Sequence, residues 1–493
     1  MTLTLHDIGV WDTGERIDLV IPSVDAARGF GPGVPFDAPK DPAGRTGSQA
    51  SGDAHGDVHV DASGLTLAPG FADPHVHFRD PGQTAKETMS TGARAAAAAG
   101  FTRVLVMPNT IPAADGETVD DSTPGGRQVL DSGRSTVLDY LAHYEEDHGA
   151  LPVRYDLCVA ATTGRAGRAA SDPALWSGRL RGGAEAGEHP VTAISDDGSA
   201  IPDAVLDEVL GNALRARIPV VDHCEHHDSG VMAAGPTSSR LGVEGIDAVT
   251  ETRIVARDID AARRTGAHVH LQHVSCAASV DLVRRAREDG VPVTCETAPH
   301  YLALCDEDVA RYGALARMNP PLRSARDRQA VIAAVADGTV DMLATDHAPH
   351  TVEEKSAGLA AAPNGVIGLE TAYGVCRRVL VDGGYIDDRR LIELMSLAPN
   401  RLLGRASTDV AALLNTCSRC ATHRMLDLAH VEHPEDVDLV VLDEHARWRV
   451  DPEDFESKAR NTPFAGWSLT GRPLATIIGS RLVFSRLDAA RRR

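Results

Sequence analysis

Between residues 71 and 347 the chain repeats one pattern: a short apolar run closing on polar residues, then a stretch with helical spacing. Apolar runs at 71–78, 101–109, 152–159, 190–198, 218–225, 267–274, 291–297 and 340–347 read as strands. Residues 84–99 are Ala-rich and stop at Gly100, and 203–216, 247–265 (closed by Gly266) and 326–336 read as helices. Eight alternating β and α units predict an α/β chain folded as a (β/α)8 TIM barrel, with 370–404 as helical segments that finish it. Outside this region the pattern is β. Residues 1–21, 58–61 and 65–67 at one end, and 437–442, 447–450 and 475–484 at the other, have strand character. The economical arrangement is one small β-sandwich built from the N- and C-terminal segments. The expected division is 1–68 for the N-terminal part of the sandwich, 69–430 for the barrel and 431–493 for the C-terminal part. Residues 22–57, rich in Pro, Gly, Ala and Asp, read as a long surface loop or a disordered insertion. The mixed run 405–430 has no assignment, and the tail Arg491-Arg492-Arg493 reads as solvated.

The polar residues that close the apolar runs carry the chemistry. His75 and His77 stand two apart, so on a strand both imidazoles face one side, with Arg79 next on that side. Pro81-Gly82 then breaks the strand, and Thr84-Ala-Lys-Glu87 has the pattern of a capping box that would start a helix. That places the two histidines where a parallel barrel builds its active site. His-x-His alone is a weak signal. Its weight comes from the other strand ends: Asn109, the pair Asp196-Asp197, His223, His273 and Asp346. Four histidines and two carboxylates suit zinc, which takes nitrogen and oxygen ligands. Six donors are too many for one tetrahedral ion and suit two ions bridged by a shared carboxylate or a hydroxide, a pair that could polarise a carbonyl and activate water together. A carboxylate at Asp346 could be both ligand and proton carrier.

Composition narrows the classes. At 493 residues and 43% hydrophobic content the chain can bury a large core, and no apolar run reaches membrane-spanning length. The start lacks the plan of a secretory signal, so a cytoplasmic location is expected. A net charge of −21 disfavours nucleic acid as a partner, but leaves room for a small anionic substrate held by local Arg and His residues. The eight cysteines are scattered and expected to be reduced, and Cys417-Ser-Arg-Cys420 lacks the second pair of a zinc ribbon.

Eight stretches, in order, carry a family resemblance: Pro69-Gly-Phe-Ala-Asp-Pro-His75-Val-His77-Phe-Arg79-Asp-Pro-Gly82, Met107-Pro-Asn109-Thr, Ser195-Asp-Asp197-Gly, Asp222-His223-Cys-Glu225, Gln272-His273-Val-Ser275, Met318-Asn319-Pro-Pro-Leu-Arg323, Ala344-Thr-Asp346-His-Ala-Pro-His350 and Arg460-Asn-Thr-Pro-Phe464. With them the chain resembles the dihydroorotases of the cyclic amidohydrolase superfamily, bacterial type I group. The resemblance implies a barrel with a composite β-sandwich, one or two Zn2+ per subunit, and reversible cyclisation of N-carbamoyl-L-aspartate to L-dihydroorotate in pyrimidine (UMP) synthesis. It carries metal ligation onto His75, His77, Asp197, His223, His273 and Asp346, and acid/base catalysis onto Asp346. Substrate contacts fall on His77, Arg79, Asn109, Asn319, His350, Asn364 and Gly365. Spacing alone does not choose between Asp196 and Asp197; the family motif favours Asp197. Hydantoinases bridge their metals with a carboxylated lysine on the fourth strand, where this chain has Ser195-Asp196-Asp197. A hydantoinase- or allantoinase-like activity, or a purely structural role beside aspartate carbamoyltransferase, are the alternatives. Binding of that transferase by an active enzyme, and self-association, stay open. His268 and His270 read as structural, and His226, His227, His300 and His347 as supporting or surface residues.

Overall fold

The computed structural model describes residues 2–22, 58–227, 229–415, 418–419 and 424–487. The insertion expected at 22–57 lies, from residue 23 on, outside the described residues, as do Cys417, Cys420 and the tail 491–493.

All eight expected barrel strands form, and they pair in chain order, each parallel to the next: Phe71–Val76, Phe101–Val106, Arg154–Ala160, Val191–Ser195, Val220–Asp222, Val269–Leu271, Val293–Thr297 and Met342–Leu343. The ring closes through a parallel bridge from Val76 to His347, with the His77 amide donating to the His347 carbonyl at 2.9 Å. Several strands are shorter than their apolar runs, because the polar residues at their carboxyl ends leave the ladder. Helices cover the outside. Val249–Thr265 buries Ile254, Val255, Ile259 and Ala262 on one face and ends at Gly266, whose φ of 75° suits glycine. One expected element of the barrel is corrected. The first helix spans Met89–Ala98 and is capped by Thr88, whose hydroxyl accepts from the Thr91 amide, not by Thr84. The Glu87 carboxylate is unavailable for a cap at Thr84, because it accepts from the Lys458 amide and the Ser457 hydroxyl. The region 370–404 is a chain of short helical turns from Leu369 to Leu402, interrupted near Gly383-Gly384.

The two chain ends build a second, nine-stranded sheet. Strand Leu3–Val10 pairs antiparallel with Arg16–Ile21 on one side. On its other side it forks, the first half pairing with Val58–Asp61 and the second with Thr66–Pro69. Asp438–Arg449 joins the far edge of Thr66–Pro69, followed by Ser468–Ile478 and Arg481–Ser485. Leu5, Ile17, Leu19, Leu67, Leu439, Val441 and Ile477 fill its core. The expected strands 437–442 and 447–450 are one strand with an irregular register between Asp443 and Arg447. The expected strand 475–484 is two strands folded back at Gly479, φ 64°. Within the unassigned run 405–430, Arg424–Asp427 pairs parallel with Arg16–Ile21. Gly70 links this sheet to the first barrel strand; a Cβ there would sit 2.3 Å from the Thr102 side chain. No helix among the described residues is long and apolar enough to cross a membrane.

Candidate metal centre

The carboxyl ends of the first, fourth, fifth, sixth and eighth barrel strands converge. His75 Nε2 lies 3.2 Å from Asp197 Oδ1 and 3.5 Å from Asp346 Oδ1. His77 Nε2 lies 3.3 Å from Asp197 Oδ2 and 3.2 Å from Asp346 Oδ1. His223 Nδ1 is 3.4 Å from Asp197 Oδ1 and 2.9 Å from His273 Nε2. Two overlapping triads, His75–His77–Asp346 and His75–Asp197–His273, each bring ligand atoms within 4.8 Å of one another. All six side chains are buried. His273 and Asp346 turn toward the centre through left-handed backbone, φ 37° and 46°, a conformation that costs a non-glycine residue about 1–2 kcal/mol. Asp196 points elsewhere: its carboxylate accepts from the Thr162 amide at 3.0 Å and from the Thr162 hydroxyl.

Alternation explains His75 and His77 but not Arg79. The strand ends at Val76, and Arg79 has φ 61°, so its side chain is aimed by a turn instead. Its Nε donates to the Pro349 carbonyl at 3.3 Å.

Around the six residues lies a layer that fixes imidazole orientation. His75 Nδ1 contacts Glu296 Oε1 at 2.7 Å, leaving Nε2 for the centre. The other Glu296 oxygen meets His270 Nε2 at 3.0 Å, so His270 supports the site at one remove, while His268 bonds Thr294. His77 Nδ1 contacts Asn109 Oδ1 at 2.8 Å, and Asn109 Nδ2 donates to Asp197 Oδ2 at 3.3 Å. Asn319 Nδ2 is 2.9 Å from His223 Nε2. Sequence reasoning missed Glu296; its one signal was a carboxylate near the end of the apolar run 291–297. His347 is buried, with Nε2 3.4 Å from Glu87 Oε2, and His300 is buried beside Tyr301, so neither is a surface residue.

A third group forms the rim after the last strand. His350 Nε2 bonds the Asn364 carbonyl at 2.7 Å, and the Asn364 side-chain oxygen accepts from Arg317 Nε at 3.0 Å. Gly365 has φ 126°, and a Cβ there would lie 2.7 Å from Ala348 Cβ and 3.1 Å from His350 Nε2. Asn461, inside the Arg460–Phe464 motif, accepts from the His350 amide at 3.0 Å and donates to the Ala348 and Gly365 carbonyls, each at 3.1 Å.

The electrostatics are those of a cation site. Burial would raise the Asp197 and Asp346 carboxyls, yet His75 and His77 hold both well below the ordinary carboxylate range. Burial pulls the other way on His75 too, and Asp197 and Asp346 outweigh it, holding the imidazole well above its usual value. Burial lowers His77, and burial with the neighbouring His223 brings His273 down to about 3, so both keep free lone pairs at neutral pH. Arg79, lowered by burial to about 10, remains a cation. His273 Nδ1 is buried without a hydrogen-bond partner among the described residues. Imidazole nitrogens and carboxylate oxygens packed 3.2–3.5 Å apart, with an unpaired buried nitrogen, fit nitrogen- and oxygen-ligated divalent ions, one of which would take the place of the His75 proton.

The model of the amidohydrolase family matches residues 66–408. A curated dihydroorotase from Halalkalibacterium halodurans is 37% identical over 440 residues, covering 88% of this chain and 91% of the relative. One from Lactiplantibacillus plantarum is 38% identical over 426 residues, covering 85% and 87%. Among solved structures, L-hydantoinase from Arthrobacter aurescens aligns with TM-score 0.68 at 20% identity, covering 99% of this chain and 96% of that one. Dihydropyrimidinase from Brevibacillus agri aligns with TM-score 0.69 at 19% identity over the same shares. At such identities these two alignments speak to the fold alone.

Proposed function

The chain belongs to the amidohydrolase family, in its dihydroorotase branch, and on that footing we propose that it catalyses the reversible closure of N-carbamoyl-L-aspartate to L-dihydroorotate, with loss of water, in pyrimidine synthesis. It is a metal-dependent cyclic amide hydrolase acting on a small molecule. The observation that carries the finer reading is the convergence of His75, His77, Asp197, His223, His273 and Asp346 at one barrel mouth, beside a cationic Arg79.

We assign those six residues as the set that would hold one or two Zn2+ ions. Such ions, when bound, polarise the scissile carbonyl and make water nucleophilic near neutral pH. In the hydrolytic direction Asp346 takes a proton from the attacking water and delivers it to the ring nitrogen as the amide bond breaks. In synthesis the same carboxyl moves the proton in reverse. Its depressed pKa keeps it ionised, and so able to act as base, across the neutral range. The guanidinium of Arg79 offers a planar fork to the carboxylate that dihydroorotate carries beside its ring. Asn109 and Asn319, which also hold His77 and His223, add donors at the mouth, and His77 faces the same space. His350, Asn364 and Gly365 line the rim above. The enzyme is assigned to the cytoplasm, acting alone, as a homo-oligomer, or beside aspartate carbamoyltransferase.

The fourth strand ends in Ser195-Asp196-Asp197 and offers no lysine, so a hydantoinase reading fits less well. Assaying the zinc-loaded protein on dihydroorotate beside hydantoin and allantoin separates the two. Dihydroorotate is expected to be turned over and the others not; turnover of hydantoin or allantoin alone would overturn the assignment.

A further inference from the structure

At the opposite pole of the barrel, where the second, third and fourth strands begin, lies a cavity of about 410 Å³ between the barrel and the C-terminal hairpin. Five arginines line it: Arg103 and Arg154 from the strand starts, Arg181 from the loop before the fourth strand, Arg405 from the segment after the barrel, and Arg481 from the hairpin. Among the described residues, two carboxylates form ion pairs with them. Asp156 pairs with Arg405, Nε to Oδ2 at 3.1 Å, and stands 3.6 Å from Arg103. Asp438 pairs with Arg154 at 3.0 Å and stands 3.8 Å from Arg103. Arg181 meets no carboxylate among the described residues; it donates to the Leu403 and Gly404 carbonyls at 2.9 and 2.6 Å. Arg481 is exposed at the mouth. The carboxylate of Glu145 is taken by the Leu151 amide and His189, and the exposed Glu188 brings a carboxylate oxygen within 4.8 Å of the Glu145 carboxylate and the His189 ring, so this side of the cavity is acidic. Val153, Pro190 and Ile478 supply an apolar wall.

Arg103, Arg154 and Arg405 are half-buried and share the carboxylates of Asp156 and Asp438, whereas Arg181 and Arg481 are exposed and face no carboxylate at ion-pair distance among the described residues, so an added anion would gain charge-assisted hydrogen bonds there. Burial lowers both Arg181 and Arg103; Arg405 adds to this at each, while Asp156 opposes it at both and Asp438 at Arg103. Five guanidiniums against the four carboxylates of Asp156, Asp438, Glu145 and Glu188 leave a local excess of one positive charge, on a chain of net charge −21. Planar guanidinium forks match phosphate oxygens, and the volume is in the range of small-molecule sites, larger than a bare phosphate needs. We propose that this cavity is a second ligand site, separate from the metal centre, for a phosphorylated organic anion of nucleotide size, with phosphates on Arg181 and Arg481 and the organic part on the apolar wall. Because the site joins barrel strands to the C-terminal hairpin, its occupation also fastens these two parts together.

The test is calorimetric titration of the metal-loaded full chain with ATP at low and moderate salt, with tripolyphosphate as comparator. Wild type is expected to bind ATP at a single saturable site, more weakly as salt rises, and to bind tripolyphosphate less tightly. The variant Arg181→Ala/Arg481→Ala should lose at least about tenfold in affinity while hydrolysing dihydroorotate at the wild-type rate. Absence of saturable binding by wild type would overturn the proposal. So would unchanged affinity in the double variant, which would place ATP outside this cavity. Tripolyphosphate binding as tightly as ATP would overturn the organic half of the site. Should the double variant fail to fold, Arg481→Glu at the exposed mouth carries the same test, with a loss of at least about fivefold expected and an unchanged affinity contradicting it.

Discussion

His75 presents Nε2 to the centre because Glu296 holds its Nδ1 at 2.7 Å, and His77 does so because Asn109 holds its Nδ1 at 2.8 Å. Glu296 is itself kept ionised: burial would raise it, but bonds from His270 and His75 bring it down to about 2. A carboxylate behind a ligating imidazole fixes the tautomer and raises ligand basicity, and its removal typically weakens metal affinity about 10–100-fold. Glu296→Gln is therefore expected to bind zinc more weakly by that factor, read by competition against a chromophoric chelator, with the fold intact. The two-residue spacing of His75 and His77 was legible because strand alternation links sequence to direction. Glu296 was not, because it lies 221 positions from His75 and nothing local marks a carboxylate that serves a distant ring. Arg79 falls between these cases: its nearness to the mouth was legible, but its route there through a left-handed residue was not.

Among the elements, the eight barrel strands were legible because apolar or alternating runs recur between helical stretches, and the helices Asp203–Ala216 and Val249–Thr265 because periodicity, and at the second a closing Gly266, mark them. The first helix start was not, since Thr84 and Thr88 each begin a plausible cap. What decides is tertiary: Glu87 is drawn to Ser457 and Lys458 from the far end of the chain. The same C-terminal segment sets the rim. Asn461 ties His350, Ala348 and Gly365 together with three hydrogen bonds, each worth about 0.5–1.5 kcal/mol. Asn461→Ala should loosen the loop that carries His350, Asn364 and Gly365, raising KM for dihydroorotate by about tenfold with a smaller change in kcat and in zinc content. Steady-state kinetics on the zinc-loaded variant checks this.

On the scale of the whole molecule, the barrel and the composite sheet are coupled by contacts no local pattern announces. Glu370, at the end of the barrel, accepts from the Ser457 amide at 3.0 Å through Oε1, while its Oε2 has no hydrogen-bond partner among the described residues and faces Arg486 at 3.8 Å. Burial pushes this carboxyl up to about 7 from the ordinary 4.5. The folded protein thus binds a proton here that the unfolded chain releases, and stability from this group falls as pH rises from 4.5 to 7. Glu370→Gln should be more stable than wild type at pH 8, by on the order of 2 kcal/mol, with the gap closing by about pH 4; urea unfolding at the two pH values measures it. That both termini would share one sheet was legible from strand character at each end; its fork at Leu3–Val10 was not, because pairing partners are set by register, not composition. The central claim is that the six strand-end residues hold metal and that Asp346 moves the proton there. Metal content and dihydroorotate hydrolysis, measured on the same preparations of wild type and Asp346→Asn, test it most directly. The account predicts bound zinc and turnover in wild type, and partial metal retention with turnover lowered about 10²–10⁴-fold in the variant. A variant that hydrolyses dihydroorotate at the wild-type rate, or a wild type that works without bound metal, would contradict it.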